Sequence, residues 1–245
     1  MKALILAGSQ EDCNLSKSCC NKALIKICGK EMIKYIIDAM KALEFIDTIA
    51  VVGPKEELLP LENHVDIIVN GGPSMTDNIL KGVEIFHDDD LVLISTSDIP
   101  MITPEAIRDF VEKSLKSDAE FYYPIVRKEA NEKKYPKVKR TYVKIKDGTF
   151  TGGNLVIVKV STVKKCIKQA ENFMVYRKKP WKLAQILGIG TIFKFLMGTL
   201  TIEQLEKRVS DLFGIKAQAV ISDYPEIGTD VDKESDLELA ERVLS

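Results

Sequence analysis

Three aspartates and one lysine in this 245-residue chain are of the types, and stand in the settings, that phosphate chemistry needs. Asp98 lies in Ser95-Thr96-Ser97-Asp98-Ile99-Pro100, directly after the apolar run Leu91–Ser95. A carboxylate at the tip of a buried strand, stiffened by the nearby proline, suits Mg²⁺, which takes one or two protein carboxylates with substrate phosphates and water. Asp230 and Asp232, in Ile227-Gly228-Thr229-Asp230-Val231-Asp232, each offer a second metal ligand. In extended chain such residues point to opposite sides, so only one of them is expected to face the cavity of Asp98. Asp232 could instead cap the helix that follows, and Asp236 falls in its first turn, where negative charge complements the helix dipole. Lys22, in Lys22-Ala23-Leu24, follows a polar loop that opens with Leu6-Ala7-Gly8-Ser9. Small residues there let backbone N–H groups approach phosphates, and a lysine can neutralise charge that develops during phosphoryl transfer. The loop lacks the Gly-Lys-Ser/Thr of a Walker A motif and the Gly-x-Gly-x-x-Gly of a dinucleotide site.

Two glycine-rich stretches complete the set. Asn70-Gly71-Gly72-Pro73-Ser74 leads into a helix holding Asn78, where close backbone approach and an amide side chain could serve a flat base. Thr151-Gly152-Gly153-Asn154 ends a run of extended chain and could floor an acceptor site or form a β-bulge.

These residues need strands and helices to position them. Short apolar runs at Ala3–Leu6, Thr48–Val52, Asp66–Val69 and Leu91–Ser95 read as strands. They alternate with helical patterns at Lys30–Leu43, Thr76–Phe86 and Thr103–Ser114, the last with Thr103 as N-cap and Pro104 in its first turn. That alternation predicts a mostly parallel sheet covered by helices on both faces. Strands follow at Glu120–Ile125, Leu155–Val158 and Ala217–Ile221, with helices over Ser161–Asn172 and Lys233–Val243. The charged stretch Arg127–Lys139 reads as a loop. Residues 176–213 read as helical, broken near Gly188–Gly190 and Gly198. Their apolar stripes are expected to pack into a small core of their own. A lid, a dimer interface or a surface for an apolar or lipid-linked acceptor are the alternatives.

Composition narrows the function classes. Lys+Arg (35) and Asp+Glu (36) nearly cancel, so no global field favours nucleic acid. No apolar run is long enough to span a membrane, and the N-terminal run is too short for a signal peptide, so a cytoplasmic protein is expected. The five cysteines form no C-x-x-C pair and only two histidines are present, which disfavours zinc and fits reduced thiols.

Taken in order, these pieces resemble the MobA-like NTP transferases, nucleotidyltransferases of the GT-A-like group. Leu6-Ala7-Gly8 with Lys22-Ala23-Leu24, and Ser97-Asp98-Ile99-Pro100, carry the resemblance, which covers about residues 1–125 and 140–160 and the helix after Asp232. It implies a single domain over 1–245: an α/β, Rossmann-like GT-A three-layer sandwich with a mostly parallel sheet, plus a C-terminal helical insertion over 174–214. It implies transfer of a nucleoside monophosphate from an NTP to a small, phosphorylated acceptor, with Mg²⁺ or alternatively Mn²⁺ and release of pyrophosphate. Leu6, Ala7, Gly8 and Ser9 would wrap the triphosphate. Lys22 would contact phosphates and stabilise the transition state. Gly71, Gly72 and Asn78 would lie by the base. Ser97 and Asp98 would contact the nucleotide, and Asp98 would bind the metal together with Asp232. Gly152, Gly153 and Asn154 would line the acceptor side. A homodimer is compatible with the group. The chain departs from the group's Gly-x-Gly-x-Arg, reading Gly8-Ser9-Gln10-Glu11-Asp12, with Lys17 as the substitute charge. Two other readings use the same residues: a metal-dependent glycosyltransferase acting on a nucleotide-sugar, and a non-catalytic nucleotide-binding protein.

Overall fold

The structure, a computed structural model, describes residues 1–8, 21–136, 138, 140–176 and 188–245. Its first half runs β1 (Lys2–Leu6), the hairpin β2 (Lys26–Ile27) and β3 (Lys30–Glu31), α1 (Met32–Lys41), β4 (Thr48–Gly53), the short α2 (Lys55–Leu58), β5 (Ile67–Asn70), α3 (Met75–Val83), β6 (Leu91–Thr96) and α4 (Pro104–Ser114). The second half adds β7 (Phe121–Arg127), α5 (Lys128–Lys134), β8 (Val143–Ile145), β9 (Gly148–Gly152), β10 (Leu155–Lys159), α6 (Val160–Tyr176), α7 (Ile189–Leu196), α8 (Ile202–Phe213), β11 (Ala217–Ser222) and α9 (Glu234–Leu244).

The large sheet has the order β5-β4-β1-β6-β10-β7-β9-β8, with β11 also paired to β7. β5, β4, β1 and β6 are parallel neighbours, and β11 runs parallel to β7. Only β9 and β10 run against the common direction. Successive side chains of β1 supply both faces: Ala3 and Ile5 enter one core with α1 and α4 residues such as Ile36 and Phe110. Leu4 enters the other, with Val83 of α3 and Val163 of α6. A strand buried on both sides needs apolar residues at every position, which is why β1, β4 and β6 read as continuous runs. The expected three-layer α/β architecture is therefore present, and Thr103 caps α4 by accepting from the Ala106 N–H.

The chain leaves β5 on one side of β1 and returns as β6 on the other, so a crevice opens between the carboxyl ends of β1 and β6. In open α/β sheets this reversal is where ligands bind. Gly53 keeps the rim tight: a Cβ there would lie 2.3 Å from the Ala7 carbonyl oxygen.

Two expectations are corrected. Residues 128–134 are a helix, not a loop. Their Lys, Glu and Ala are strong helix formers, Lys128 and Glu132 pair at 3.4 Å across one turn, and the buried Asn131 donates to the Tyr142 hydroxyl at 2.7 Å. The helical stripe of residues 176–213 also packs differently than expected. Residues 177–187 of it lie outside the described residues, and α7 buries none of its own residues. Leu200, just beyond it, is buried with Ile145 and Phe150 of the large sheet, and Ile202 and Leu205 of α8 pack against that cluster.

Candidate active site

Lys22 stands in a turn (Lys22–Leu24) that Asn21 begins. Asn21 is 1% exposed, donates to the Ala7 carbonyl at 3.0 Å, and accepts from the Ala23 N–H at 3.0 Å. One side chain thus ties the lysine turn to the end of β1. Sequence reasoning did not give Asn21 a role, although an asparagine directly before a helical turn is an N-cap signal. Asn21→Ala leaves both backbone partners buried without it and is expected to cost about 1–3 kcal/mol in urea denaturation. Wild-type stability in that variant would show the turn is held by other contacts.

From this turn the Lys22 ammonium reaches Asp98 Oδ2 at 2.7 Å and Asp232 Oδ1 at 2.5 Å. Asp98 follows β6, and Thr96 Oγ1 fixes its other oxygen by donating to Oδ1 at 2.6 Å. Burial works to lower the Lys22 pKa, but the charge of Asp98 and the hydrogen bonds to both carboxylates outweigh it, so the ammonium is held above its ordinary range.

The two candidate second ligands do not point apart. Carboxylate oxygens of Asp98, Asp230 and Asp232 all lie within 4.8 Å of one another. The period-two expectation fails because residues 229–232 belong to no strand. Instead, the Val231 N–H donates to the Asp98 carbonyl at 2.8 Å, and the Val231 side chain is buried with Ile27, Met32 and Ala240. That anchor swings both flanking aspartates toward Asp98. Asp232 does not cap α9 with its carboxylate. Asp236 Oδ2 accepts from the Asp232 and Lys233 N–H groups at 3.2 and 3.3 Å, leaving the Asp232 carboxylate to Lys22. Arg140 pairs with the Asp230 carboxylate and also donates to its carbonyl at 3.1 Å. Burial, then a hydrogen bond with Asp232, push Asp230 up to about 6 against the pull of Arg140. Asp232 moves the other way: burial alone would raise it, but hydrogen bonds to Asp230 and Lys22 lower it. Arg140 was not singled out by the sequence, since it lies in an irregular stretch with no pattern to flag it.

The residues expected beside the base gather at the ends of β4 and β5. The Gly72 N–H donates to Asn78 Oδ1 at 2.8 Å. A Cβ on Gly8 would lie 2.6 Å from Asn78 Nδ2, and one on Gly71 would lie 2.3 Å from its Oδ1. Asn78 is buried, and its amide lies between the glycine loop and Gly8, just after β1. Ser97 is buried beside Asp98; Leu6 ends β1, and Ala7 just after it donates its N–H to the Val52 carbonyl at 2.8 Å. Ser9 and Lys17 lie outside the described residues.

Gly152 ends β9, and Gly153 and Asn154 form the break before β10; both strands lie along β7. A Cβ on Gly153 would lie 2.6 Å from the Ile227 side chain. The Asn154 N–H donates to Ile227 O at 2.8 Å, and its carbonyl accepts from Thr96 N–H at 3.1 Å. The backbone of Asn154 therefore links the end of β6 to the turn that precedes Asp230.

The model of the MobA-like NTP transferase domain matches residues 3–184. The chain belongs to this family. A solved hypothetical transferase from Thermus thermophilus is similar to the family member described here at 33% identity, with a TM-score of 0.86 over 96% of this chain and 98% of that one. The Francisella tularensis 2-C-methyl-D-erythritol 4-phosphate cytidylyltransferase shares the fold, with a TM-score of 0.62 at 15% identity over 99% of each chain. The bifunctional protein GlmU of Clostridium perfringens is 32% identical over 115 residues, 45% of this chain. That match spans 25% of the GlmU protein, so the chain covers about a quarter of the curated relatives it matches.

Proposed function

We propose that this MobA-like NTP transferase moves a nucleoside monophosphate from an NTP to a small phosphorylated acceptor, releasing pyrophosphate. The observation that carries the reading is the Lys22 ammonium set between Asp98 and Asp232 at the crevice between β1 and β6. Three carboxylates whose oxygens lie within 4.8 Å of one another are a hard oxygen donor set that fits Mg²⁺. In this reading Asp98 and Asp232 hold the ion, with Mn²⁺ as a substitute, while Asp230 stays with Arg140. The ion would neutralise charge on the phosphates it touches.

An acceptor oxygen forms a bond to the α-phosphorus as the bond to the bridging oxygen breaks, and pyrophosphate leaves with the electron pair. A phosphate acceptor is already ionised near neutral pH, so the reaction needs no strong base, which suits a carboxylate cluster without histidine. Lys22 neutralises charge on the phosphates, and Thr96 keeps the Asp98 carboxylate oriented. The backbone at Gly8 lies against the triphosphate and the Gly71-Gly72 loop against the base, held in place by Asn78. Gly152, Gly153 and Asn154 lie on the acceptor side. In the same reading the whole chain is one transferase domain, and the helices within residues 174–214 are an addition to it.

The test is thermal shift and pyrophosphate release for each of the four NTPs with Mg²⁺, against a panel of phosphorylated small molecules. One NTP that stabilises the protein by several degrees at saturating concentration, and gives acceptor-dependent pyrophosphate, is the expected result. Stabilisation by a nucleotide-sugar and by no NTP would overturn the reading.

A further inference from the structure

Helix α7 presents the densest group of exposed apolar side chains among the described residues. Ile189 is 86% exposed, Phe193 64%, Leu196 75% and Met197, just past the helix end, 63%. Their spacing places them along one side of the helix. Among the described residues, nothing lies within 4 Å of a Cβ built on Gly190 or Gly198, while one on Gly188, at the start of the helix, would lie 3.4 Å from the Arg208 guanidinium. The helix is fastened at its base, where Leu200 is buried with Ile145 and Phe150, and the Lys146 N–H donates to the Leu200 carbonyl at 2.9 Å. A helix that shows bulk water its aromatic and aliphatic side chains, on a rigid mount, has a surface to meet.

Charge indicates which surface. Between residues 172 and 202 the sequence carries Arg177, Lys178, Lys179, Lys182 and Lys194 and no Asp or Glu, in a chain whose formal net charge is −1. An apolar face within an all-basic stretch is the pattern of helices that lie in the plane of an anionic bilayer surface. A symmetric contact of α7 with a second copy would bring two such basic stretches together, like charge against like. The other highly exposed large apolar residues among the described ones, such as Leu59, Leu115 and Val243, are scattered singly, so apart from α7 itself a copy offers no matching patch. No described helix is long and apolar enough to cross a membrane, so α7 would rest on the bilayer and not span it.

We propose that α7 docks this protein on an anionic membrane surface, with Ile189, Phe193, Leu196 and Met197 entering the headgroup–acyl boundary and Lys194 meeting lipid phosphates. The inference stands on the exposed face and its charge, and does not depend on the transfer reaction. The experiment is co-sedimentation of the full chain with vesicles of equal parts phosphatidylcholine and phosphatidylglycerol, beside vesicles of phosphatidylcholine alone. Binding to the anionic vesicles that weakens with salt is expected, with little binding to the neutral ones. The double substitution Phe193→Glu with Leu196→Glu should lower apparent affinity by at least about tenfold. Its thermal unfolding should match wild type, because both side chains are exposed. No binding to anionic vesicles, or equal binding by the double variant, would overturn the proposal. So would a dimer in solution, with no lipid binding, that the same variant splits into monomers, since the face would then belong to a second copy.

Discussion

Asp98→Ala is expected to lower NTP-dependent pyrophosphate release by about 10³-fold or more, in a protein that stays folded. Asp98 touches Lys22 through one carboxylate oxygen and is fixed at the other by Thr96. Its backbone carbonyl also receives the Val231 N–H, a bond the alanine variant keeps. The fold around the crevice should therefore survive while the oriented charge is lost. Circular dichroism and thermal unfolding would confirm the first half, and steady-state pyrophosphate release the second. A folded Asp98→Ala protein with wild-type turnover would remove Asp98 from the site.

Lys22→Met is expected to separate two properties that the wild type joins. Turnover should fall by about 10²-fold or more, because the methionine keeps the apolar stem but brings no charge to the phosphates. Divalent-cation affinity without nucleotide should rise, because the ammonium that now bridges Asp98 and Asp232 would be gone. The loss also leaves Asp98, Asp230 and Asp232 with less compensation, so the variant should lose stability without added cation and recover part of it with Mg²⁺ or Mn²⁺. Isothermal titration with Mn²⁺ and the same turnover assay read the two effects. Turnover and cation affinity both unchanged would place Lys22 outside the reaction. Lys22→Arg should not restore the wild-type rate, since the planar, forked guanidinium cannot reproduce a compact ammonium set between two carboxylates.

What the sequence made legible follows from how local each feature is. β1, β4 and β6 are buried on both faces, so their apolar runs announce them without tertiary knowledge. Thr103 and Pro104 mark the start of α4 with side-chain chemistry confined to one turn. The pairing of Lys22 with Asp98 and Asp232 depends on tertiary structure, yet each residue sits at a strand end or helix start that local pattern locates. Convergence of Asp230 and Asp232 could not be read. It follows from one backbone hydrogen bond between Val231 and Asp98, across more than half the chain. Arg140 and Asn21 act through distant partners, Asp230 and Ala7, and neither stands in a repeating pattern. Helix α5 was missed because a run of mixed charge is equally compatible with a solvated loop. The pairing of Lys128 with Glu132 and the burial of Asn131 favour the helix.

The Lys22–Asp232 contact joins positions 210 apart in the chain. Such a closure ranks among the slowest kinds of contact to form, since nearly the whole polypeptide must be ordered between its two ends. During synthesis the ribosome must release residue 232 before the cluster can exist. A nascent chain could hold its parallel strands for seconds while the charges that give the crevice its character are still incomplete. The docking of α9 and the segment before it is therefore the event that turns a folded sheet into a finished site. A truncated product that ends before Asp232 would be an assembled scaffold without that closure.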